Sequence, residues 1–204
     1  MNKRNYMREM EEILKSLDSD RYKPPLLLHV CCAPCASGCL NLLIPYFDIT
    51  AFFYNPNMDT LEEYKRRANE FERFVREADL PIKTIIRQHE SHKFYEFCRG
   101  LEDEPEGGRR CFKCYELRLR ETAKFGSEND FAYYSTTLTL SPYKNAEVIN
   151  QLGERLGVMH GIKWLPSDFK KKDGFKKSTE VSREYGLYRQ NYCGCVYSKG
   201  GDIA

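Results

Sequence analysis

The stretch Leu26-Leu27-Leu28-His29-Val30-Cys31-Cys32-Ala33-Pro34-Cys35 decides how the rest of the chain is interpreted. Residues 26–30 form a short apolar run, which is typical of a buried strand, and cysteines follow it at once. Residues 36–45 are predicted to form a helix. This stretch therefore predicts the beginning of a βαβ unit, with cysteines at the end of the strand.

Strands and helices continue to alternate outward from this stretch. Further strands are predicted over 49–54, 82–86, 131–135 and 161–165, and helices over 6–17, 60–78, 92–98, 110–125, 144–156 and 174–185. This alternation implies an α/β fold with a parallel sheet flanked by helices, which binds ligands at the carboxyl ends of its strands. No repeat or linker interrupts the pattern. We therefore expect residues 1–204 to form a single metal-binding catalytic domain.

Composition and charge exclude several classes of protein. The net charge of +2 argues against a protein that coats nucleic acid, although a local basic patch remains possible. The first 20 residues carry charges throughout, unlike a signal peptide. No apolar run approaches the ~20 residues of a membrane span. We expect a cytoplasmic protein with no membrane partner.

Nine cysteines in such a chain point to metal binding or redox chemistry, because cytosolic proteins rarely keep structural disulfides. Three pairs stand out: Cys31-Cys32, Cys111-x-x-Cys114 and Cys193-Gly194-Cys195. If the sheet gathers these pairs, their sulfurs exceed the four that one zinc ion or one [4Fe–4S] cluster binds. A cluster with a second metal, or a cluster with reactive thiols, would use them all. Core packing is the alternative for Cys35, Cys39 and Cys98.

Several short motifs, taken in order, resemble the QueH-type epoxyqueuosine reductases. They extend over nearly the whole chain, and their combination is far more specific than any one of them. The motifs are His29-Val30-Cys31-Cys32-Ala33-Pro34-Cys35, Tyr54-Asn55-Pro56-Asn57, Glu63-Tyr64-Lys65-Arg66, Arg110-Cys111-Phe112-Lys113-Cys114-Tyr115 with Arg118-Leu119, Thr136-Thr137-Leu138, Ser141-Pro142-Tyr143-Lys144, Asp168-Phe169-Lys170-Lys171 and Tyr188-Arg189-Gln190-Asn191-Tyr192-Cys193-Gly194-Cys195.

The resemblance implies a fold like that of the adenine-nucleotide α-hydrolases (HUP-like). It also implies a [4Fe–4S] cluster, a second iron ion nearby, and the reduction of epoxyqueuosine to queuosine in the wobble position of tRNA, without cobalamin. In PP-loop enzymes of that fold, a Ser- and Gly-rich phosphate loop follows the first strand. Here residues 31–35 carry cysteines instead, so we expect that ATP use has been lost.

The implied reaction suggests roles for individual residues. We hypothesise that Cys32, Cys111, Cys114 and Cys193 hold the cluster, and that Cys31 and Cys195 lie near the second iron. Removal of the epoxide oxygen as water needs two electrons, from an unidentified donor, and two protons. The candidate acids are Asp168, Tyr143 and His29. Each has a structural alternative: a helix cap for Asp168, a packed core position for Tyr143 and a hydrogen-bonded core histidine for His29.

The basic residues Arg66, Lys144, Lys170 and Lys171 are candidates for contacts with the anticodon region of tRNA. A solvated charged face is the alternative. Three other functions stay open: a PP-loop-related tRNA sulfur transferase, a structural zinc protein that binds RNA, and a thiol–disulfide oxidoreductase that uses Cys111 and Cys114.

Overall fold

A computed structural model describes residues 4–18 and 20–199 of the chain. Its helices and strands alternate as the sequence predicts. In chain order they are α1 (Tyr6–Ser16), β1 (Pro25–His29), α2 (Ala33–Leu43), β2 (Asp48–Phe53), α3 (Leu61–Glu77), β3 (Lys83–Ile86), α4 (Ser91–Phe97), α5 (Arg109–Glu128), β4 (Tyr133–Thr136), α6 (Ala146–His160), β5 (Lys163–Trp164) and α7 (Gly174–Glu184), with 3-10 helices at Thr137–Leu140 and Val196–Ser198.

The strands form one five-stranded sheet in the order β3-β2-β1-β4-β5. Every pairing between neighbouring strands is parallel, and β1 lies in the middle, between β2 and β4. This confirms the predicted α/β fold with a parallel sheet. The strand order reverses between β1 and β4, and ligands of open parallel sheets bind at such a reversal, outside the carboxyl ends of the strands.

Both faces of the sheet are buried, because helices pack on each of them. On one face, Leu26 and Leu28 join apolar side chains of α1, α2 and α3 in a core cluster. On the other face, Leu27 packs with side chains of α5 and α6. Because both of its faces are buried, the sequence of the central strand is a continuous apolar run, as is usual for strands of parallel sheets that helices cover on both sides.

Side-chain caps fix where several helices begin. The Thr60 hydroxyl accepts a hydrogen bond from the backbone N–H of Glu63 at the start of α3. The Asn145 side chain accepts from the N–H groups of Glu147 and Val148 at the start of α6. These caps satisfy donors that the first turn of a helix leaves without partners.

Two boundaries differ from the prediction in ways that matter for the site. Helix α2 begins at Ala33 and not at residue 36, since Pro34 is tolerated in a first turn. Cys35 therefore lies inside α2. The second difference follows β4, where a 3-10 helix that the sequence analysis does not include begins at Thr137. Within the described residues, no helix combines the length and apolar character that crossing a membrane requires.

Candidate metal centre

The candidate site lies where the strand order of the sheet reverses. His29 and Thr136 are the last paired residues of β1 and β4. The chain leaves β1 through Val30 into Cys31, whose backbone N–H donates a 3.3 Å hydrogen bond to the Thr137 hydroxyl. The ends of the two strands thus fix the first cysteines at the edge of the sheet where ligand sites are expected.

Three cysteines form the first group, called here the strand-end cysteines: Cys31, Cys32 and Cys35. Their sulfur atoms all lie within 4.8 Å of one another. The Cys31 and Cys32 sulfurs are 3.9 Å apart, and the Cys31 sulfur is 3.5 Å from the Thr137 hydroxyl oxygen. Three sulfurs at this separation can bind one metal ion. The structure thus brings Cys35, for which core packing was an alternative, beside Cys31 and Cys32.

The strand-end cysteines favour one thiolate among them. Hydrogen bonds from the neighbouring Cys32 and Cys35 thiols hold the pKa of Cys31 well below its ordinary value. The same interaction with Cys31 raises the pKa of Cys32 to about 12. The pKa of Cys35 is raised too, because its thiol hydrogen-bonds to Cys31 and Cys32 and because it is buried. Since thiolates are the metal-binding form of cysteine, Cys31 is the member of this group whose side chain is most ready to bind a metal ion.

Four cysteines form the second group, called here the tail-side cysteines: Cys111, Cys114, Cys193 and Cys195. All of them line one small cavity. Cys111 and Cys114 lie in the first turns of α5, whereas Cys193 and Cys195 lie in the segment that follows α7. Burial raises the pKa of the Cys111, Cys114 and Cys195 thiols. These side chains therefore favour the neutral thiol when no metal replaces the proton.

The segment that carries Cys193 and Cys195 is held against α3. The buried Arg67 guanidinium donates a 3.2 Å hydrogen bond from Nη1 to the Cys193 carbonyl. Arg67 is itself held by Glu63, whose carboxylate oxygen is 2.6 Å from Nε. Gly194 has φ +116°, a conformation that glycine adopts more readily than any other residue, and a Cβ atom there would lie 3.3 Å from Arg67 Nη1. Glycine between the two cysteines thus lets the chain pass close to Arg67.

The two cysteine groups lie around adjoining cavities. The main cavity has a volume of about 450 Å³ and is lined by the strand-end cysteines together with Cys193. The small cavity is lined by the tail-side cysteines. Cys193, Glu106 and Arg118 line both. The structure therefore brings together the three cysteine pairs that the sequence singled out.

Buried and half-buried cations surround these sulfurs. Arg118 on α5 is only 1% exposed, and its guanidinium lies between the two groups. Lys144 lines the main cavity. Burial alone would lower the pKa of Lys144, but attraction to negative charge on nearby sulfurs, with Cys193 and Cys31 the largest contributors, outweighs this effect and raises it. The cations favour an anionic occupant, which suits thiolates bound to metal.

The structure brings some of the predicted catalytic residues to the main cavity and leaves others outside it. Tyr143 is half exposed and lines the cavity. Asp168 is buried but does not line the main cavity. Its carboxylate forms an ion pair with Lys170, at 2.5 Å from the lysine nitrogen. His29 is fully buried and is not part of the lining either.

The contacts of His29 match its structural alternative. Its Nε2 lies 3.1 Å from the Tyr54 carbonyl oxygen, and its Nδ1 lies 2.8 Å from the Thr136 hydroxyl. Burial, helped by the positive charge of Arg118, lowers the pKa of His29 to about 3. The ring is therefore neutral at pH 7, with Nε2–H donating to the carbonyl and Nδ1 accepting from the hydroxyl.

The predicted tRNA contacts are spread over the surface. Lys144 is in the main cavity, whereas Arg66, Lys170 and Lys171 are not among its lining residues. Arg66 is exposed on α3, with its guanidinium carbon 3.6 Å from the centre of the Tyr188 ring. Lys171 is exposed in the segment before α7.

Sequence reasoning assigned no role to Arg118 or Arg67, although both are buried beside the cysteines. Arg118 follows Cys114 by four residues on α5, which places both on one face of the helix. That spacing could have identified Arg118 as a site residue from the sequence. Arg67 gave no such signal, because it meets Cys193 only through tertiary packing.

Fold and site together define an α/β protein with cysteines that could hold a metal ion at the carboxyl edge of a parallel sheet. Comparison with known proteins narrows this class. The family described as "Epoxyqueuosine reductase QueH" matches residues 26–200. The chain belongs to this family.

Individual relatives support the assignment over most of their length. An epoxyqueuosine reductase QueH of Staphylococcus epidermidis is 42% identical over 200 residues, which cover 95% of this chain and 84% of the relative. The Streptococcus pyogenes protein of the same name is 41% identical over 198 residues, covering 95% and 78%. The Thermotoga maritima protein of that name is 34% identical over 174 residues, covering 85% and 89%.

Proposed function

We propose that this protein reduces epoxyqueuosine to queuosine in the wobble position of tRNA, with a [4Fe–4S] cluster and a second iron ion as cofactors. The relatives carry the name of this reductase. The observation that carries the proposal is the convergence of seven cysteines on two adjoining cavities. Seven sulfurs exceed what one zinc ion or one cluster binds, and suit a cluster with a separate metal ion.

The packing supports a division of the cysteines between the two cofactors. The four tail-side cysteines match the ligand number of a [4Fe–4S] cluster. The three strand-end cysteines match an iron ion that keeps a position open for substrate. The hypothesis from sequence had placed Cys32 with the cluster and Cys195 with the second iron. We propose the exchange of these two, because Cys32 lies beside Cys31, and Cys195 lines a different cavity from Cys31.

When bound, the cluster would supply electrons one at a time, and the iron ion would act as a Lewis acid toward the epoxide oxygen. The chain's own residues would orient the substrate and supply one of the two protons that leave with the oxygen as water, and solvent would supply the other. The main cavity has a volume of about 450 Å³, which suits a nucleoside extruded from its stack. Of the three predicted acids, Tyr143 is the one that lines this cavity, so we propose that its hydroxyl donates the proton.

Binding of tRNA would use the cations around the cavity. Lys144 at the cavity would attract a phosphate next to the modified nucleoside. Arg66, Lys170 and Lys171 would contact phosphates farther along the anticodon stem. The ion pair of Lys170 with Asp168 makes Lys170 the weakest contributor, because part of its charge is already neutralised.

Anaerobic purification tests the cofactors directly. We expect a brown protein whose visible absorption bleaches with dithionite, with about four sulfides per chain and more iron than sulfide. The Cys111→Ala variant should lose most of this absorption. Cys98→Ala is the matched control, since Cys98 is buried nearby but lines neither cavity, and it should keep the absorption.

The reaction is tested by incubating the anaerobic protein with dithionite and tRNA that carries epoxyqueuosine. Digestion to nucleosides and mass spectrometry should then show queuosine, with loss of one oxygen atom. A colourless protein that takes up zinc instead of iron under anaerobic reconstitution would contradict the proposal and favour a structural zinc protein that binds RNA.

A further inference from the structure

Arg118 is the largest fully buried side chain of the described residues. Among the described residues, no acidic side chain balances its positive charge. Among residues 4–18 and 20–199, it takes part in no ion pair with a carboxylate. Burying a charged group costs several kcal/mol unless it is paired. The fold is therefore expected to supply an anion beside this guanidinium.

Two of the nitrogen atoms of Arg118 fix the direction of the third. Its Nε donates a 3.3 Å hydrogen bond to the Cys114 carbonyl, and its Nη1 donates a 3.4 Å bond to the Asn55 side-chain oxygen. Its Nη2 is buried and has no hydrogen-bond partner among the described residues. Because a guanidinium is planar and rigid, the first two bonds leave Nη2 no freedom to seek another partner.

Arg67, another buried arginine of the site, provides the contrast. Arg67 also has a buried Nη2 without a partner, but its charge is balanced by Glu63, 2.6 Å away. Arg118 has sulfur around it instead, since it lines both the cavity of the strand-end cysteines and that of the tail-side cysteines.

We infer that Arg118 donates a hydrogen bond from Nη2 to a sulfur of the bound iron–sulfur cluster and thereby raises the reduction potential of the cluster. This inference rests on the proposed function. An N–H···S bond and a nearby positive charge both stabilise the more negative, reduced state, and hydrogen bonds to the sulfurs are one of the main influences on cluster potentials. Arg118 would thus set how readily the cluster accepts an electron.

The test is the reduction potential of the cluster in the whole protein, measured by a redox titration followed by EPR. Arg118→Gln removes the charge and should lower the ratio of reduced to oxidised cluster at a fixed potential about tenfold, which equals about 59 mV for a one-electron couple. Arg118→Lys keeps the charge but loses the fork of N–H donors, so a smaller shift in the same direction is expected. Arg155→Gln is the control, because it removes a positive charge from an exposed arginine that lines neither cavity, and it should leave the potential near that of the unchanged protein.

The outcomes separate this inference from the proposed function. If the unchanged protein holds no cluster, both fail. If it holds a cluster and both Arg118 variants titrate at the same potential as the unchanged protein, the inference alone is overturned.

A second measurement covers the case in which neither Arg118 variant retains its cluster. Pulsed EPR on the reduced, unchanged protein with ¹⁵N-labelled arginine should show a nitrogen coupled to the cluster. Arg67 and Arg110 are the other buried arginines that line these cavities, so a coupling that persists in both Arg67→Lys and Arg110→Lys would be assigned to Arg118. Absence of the coupling in the unchanged protein, or its loss in either of these variants with the cluster still bound, would overturn the inference.

Discussion

The two cysteine groups are built in opposite ways. The strand-end cysteines lie within five consecutive residues, and one junction between a strand and a helix positions all three. The tail-side cysteines come from the start of α5 and from a segment that follows α7, so tertiary contacts alone bring them together. The first group is therefore a local structure, and the second depends on the docking of the chain's last described segment.

The groups also differ in their readiness for metal. Cys31 has a lowered pKa because two neighbouring thiols hydrogen-bond to it, whereas burial raises the pKa of Cys111, Cys114 and Cys195. A metal that enters the tail-side group must displace protons from three buried thiols, whereas one that enters the strand-end group finds one thiolate and displaces protons from Cys32 and Cys35 only. Binding at the tail-side group should consequently release more protons and depend more strongly on pH.

The largest expected effect comes from detaching the docked segment. Arg67→Ala removes the contact with the Cys193 carbonyl and leaves Glu63 half-buried without its partner. We expect the free energy of unfolding to fall by about 3 kcal/mol. In the metal-free protein, alkylation followed by mass spectrometry should show faster modification of the tail-side cysteines and an unchanged rate at the strand-end cysteines.

Arg66→Ala is the matched control for that experiment. Arg66 is the adjacent residue on α3, but it is exposed and only stacks on Tyr188. Loss of the Arg66 side chain should lower the free energy of unfolding by about 0.5 kcal/mol and leave the alkylation rates of both cysteine groups nearly unchanged. If Arg67→Ala speeds the alkylation of both cysteine groups equally, the strand-end cysteines are not an independent local structure and the tail-side cysteines do not depend specifically on the docked segment.

A smaller effect is expected at the turn between the last two cysteines. Gly194→Ala should lower the free energy of unfolding by about 2 kcal/mol, because the residue combines a positive φ with a close approach to Arg67. Gly107→Ala is the comparison, since Gly107 has φ +82° but no atom within 4 Å of an added Cβ. Backbone strain alone should cost about 1 kcal/mol there.

Chemical denaturation of the metal-free variants measures this difference. The excess cost at Gly194 over Gly107 reports on the packing of the docked segment against α3. Equal costs at the two glycines would show that the segment is not held closely, and that the tail-side group forms only when metal binds.

The smallest expected effect concerns how the thermal stability of the protein depends on pH. The Arg73 guanidinium and the backbone N–H of Tyr188 both donate to the Glu70 carboxylate and hold its pKa below the ordinary value of 4.5. A carboxyl with a lowered pKa stabilises the fold fully above its ordinary pKa, and this contribution is lost as the pH falls through the lowered value. We therefore expect Glu70→Gln to reduce the difference in thermal stability between pH 7 and pH 3.

Calorimetry on the metal-free protein and the variant at both pH values checks this expectation. The unchanged protein should lose more stability on acidification than the variant does. Identical losses would mean that the Glu70 carboxylate, with its contacts to Arg73 and Tyr188, contributes nothing to the pH dependence of stability.

The sequence predicts most of this architecture, because the periodic patterns of strands and helices are local. The parallel sheet and the position of Cys31 and Cys32 at a strand end follow from an apolar run and what comes directly after it. The start of α2 was less predictable, since Pro34 fits a first turn as readily as it ends a helix. That difference of three residues is what places Cys35 beside Cys31.

Local sequence patterns do not predict contacts between segments that are remote in the chain. Nothing in the residues around Arg67 indicates that it meets Cys193, because the contact joins segments that are remote in sequence. Asp168 and Tyr143 looked equally suited to acid catalysis, and only the fold separates them, by pairing one with Lys170 and placing the other at the main cavity.

The position of Cys193 and Cys195 behind α7 has a consequence for how the protein is made. Translation releases the strand-end cysteines first, then Cys111 and Cys114, and the last two thiols only after every strand of the sheet has emerged. A nascent chain can therefore fold much of its sheet while its small cavity still lacks half of its sulfurs. Loading of that cavity would then mark a chain whose synthesis has passed residue 195.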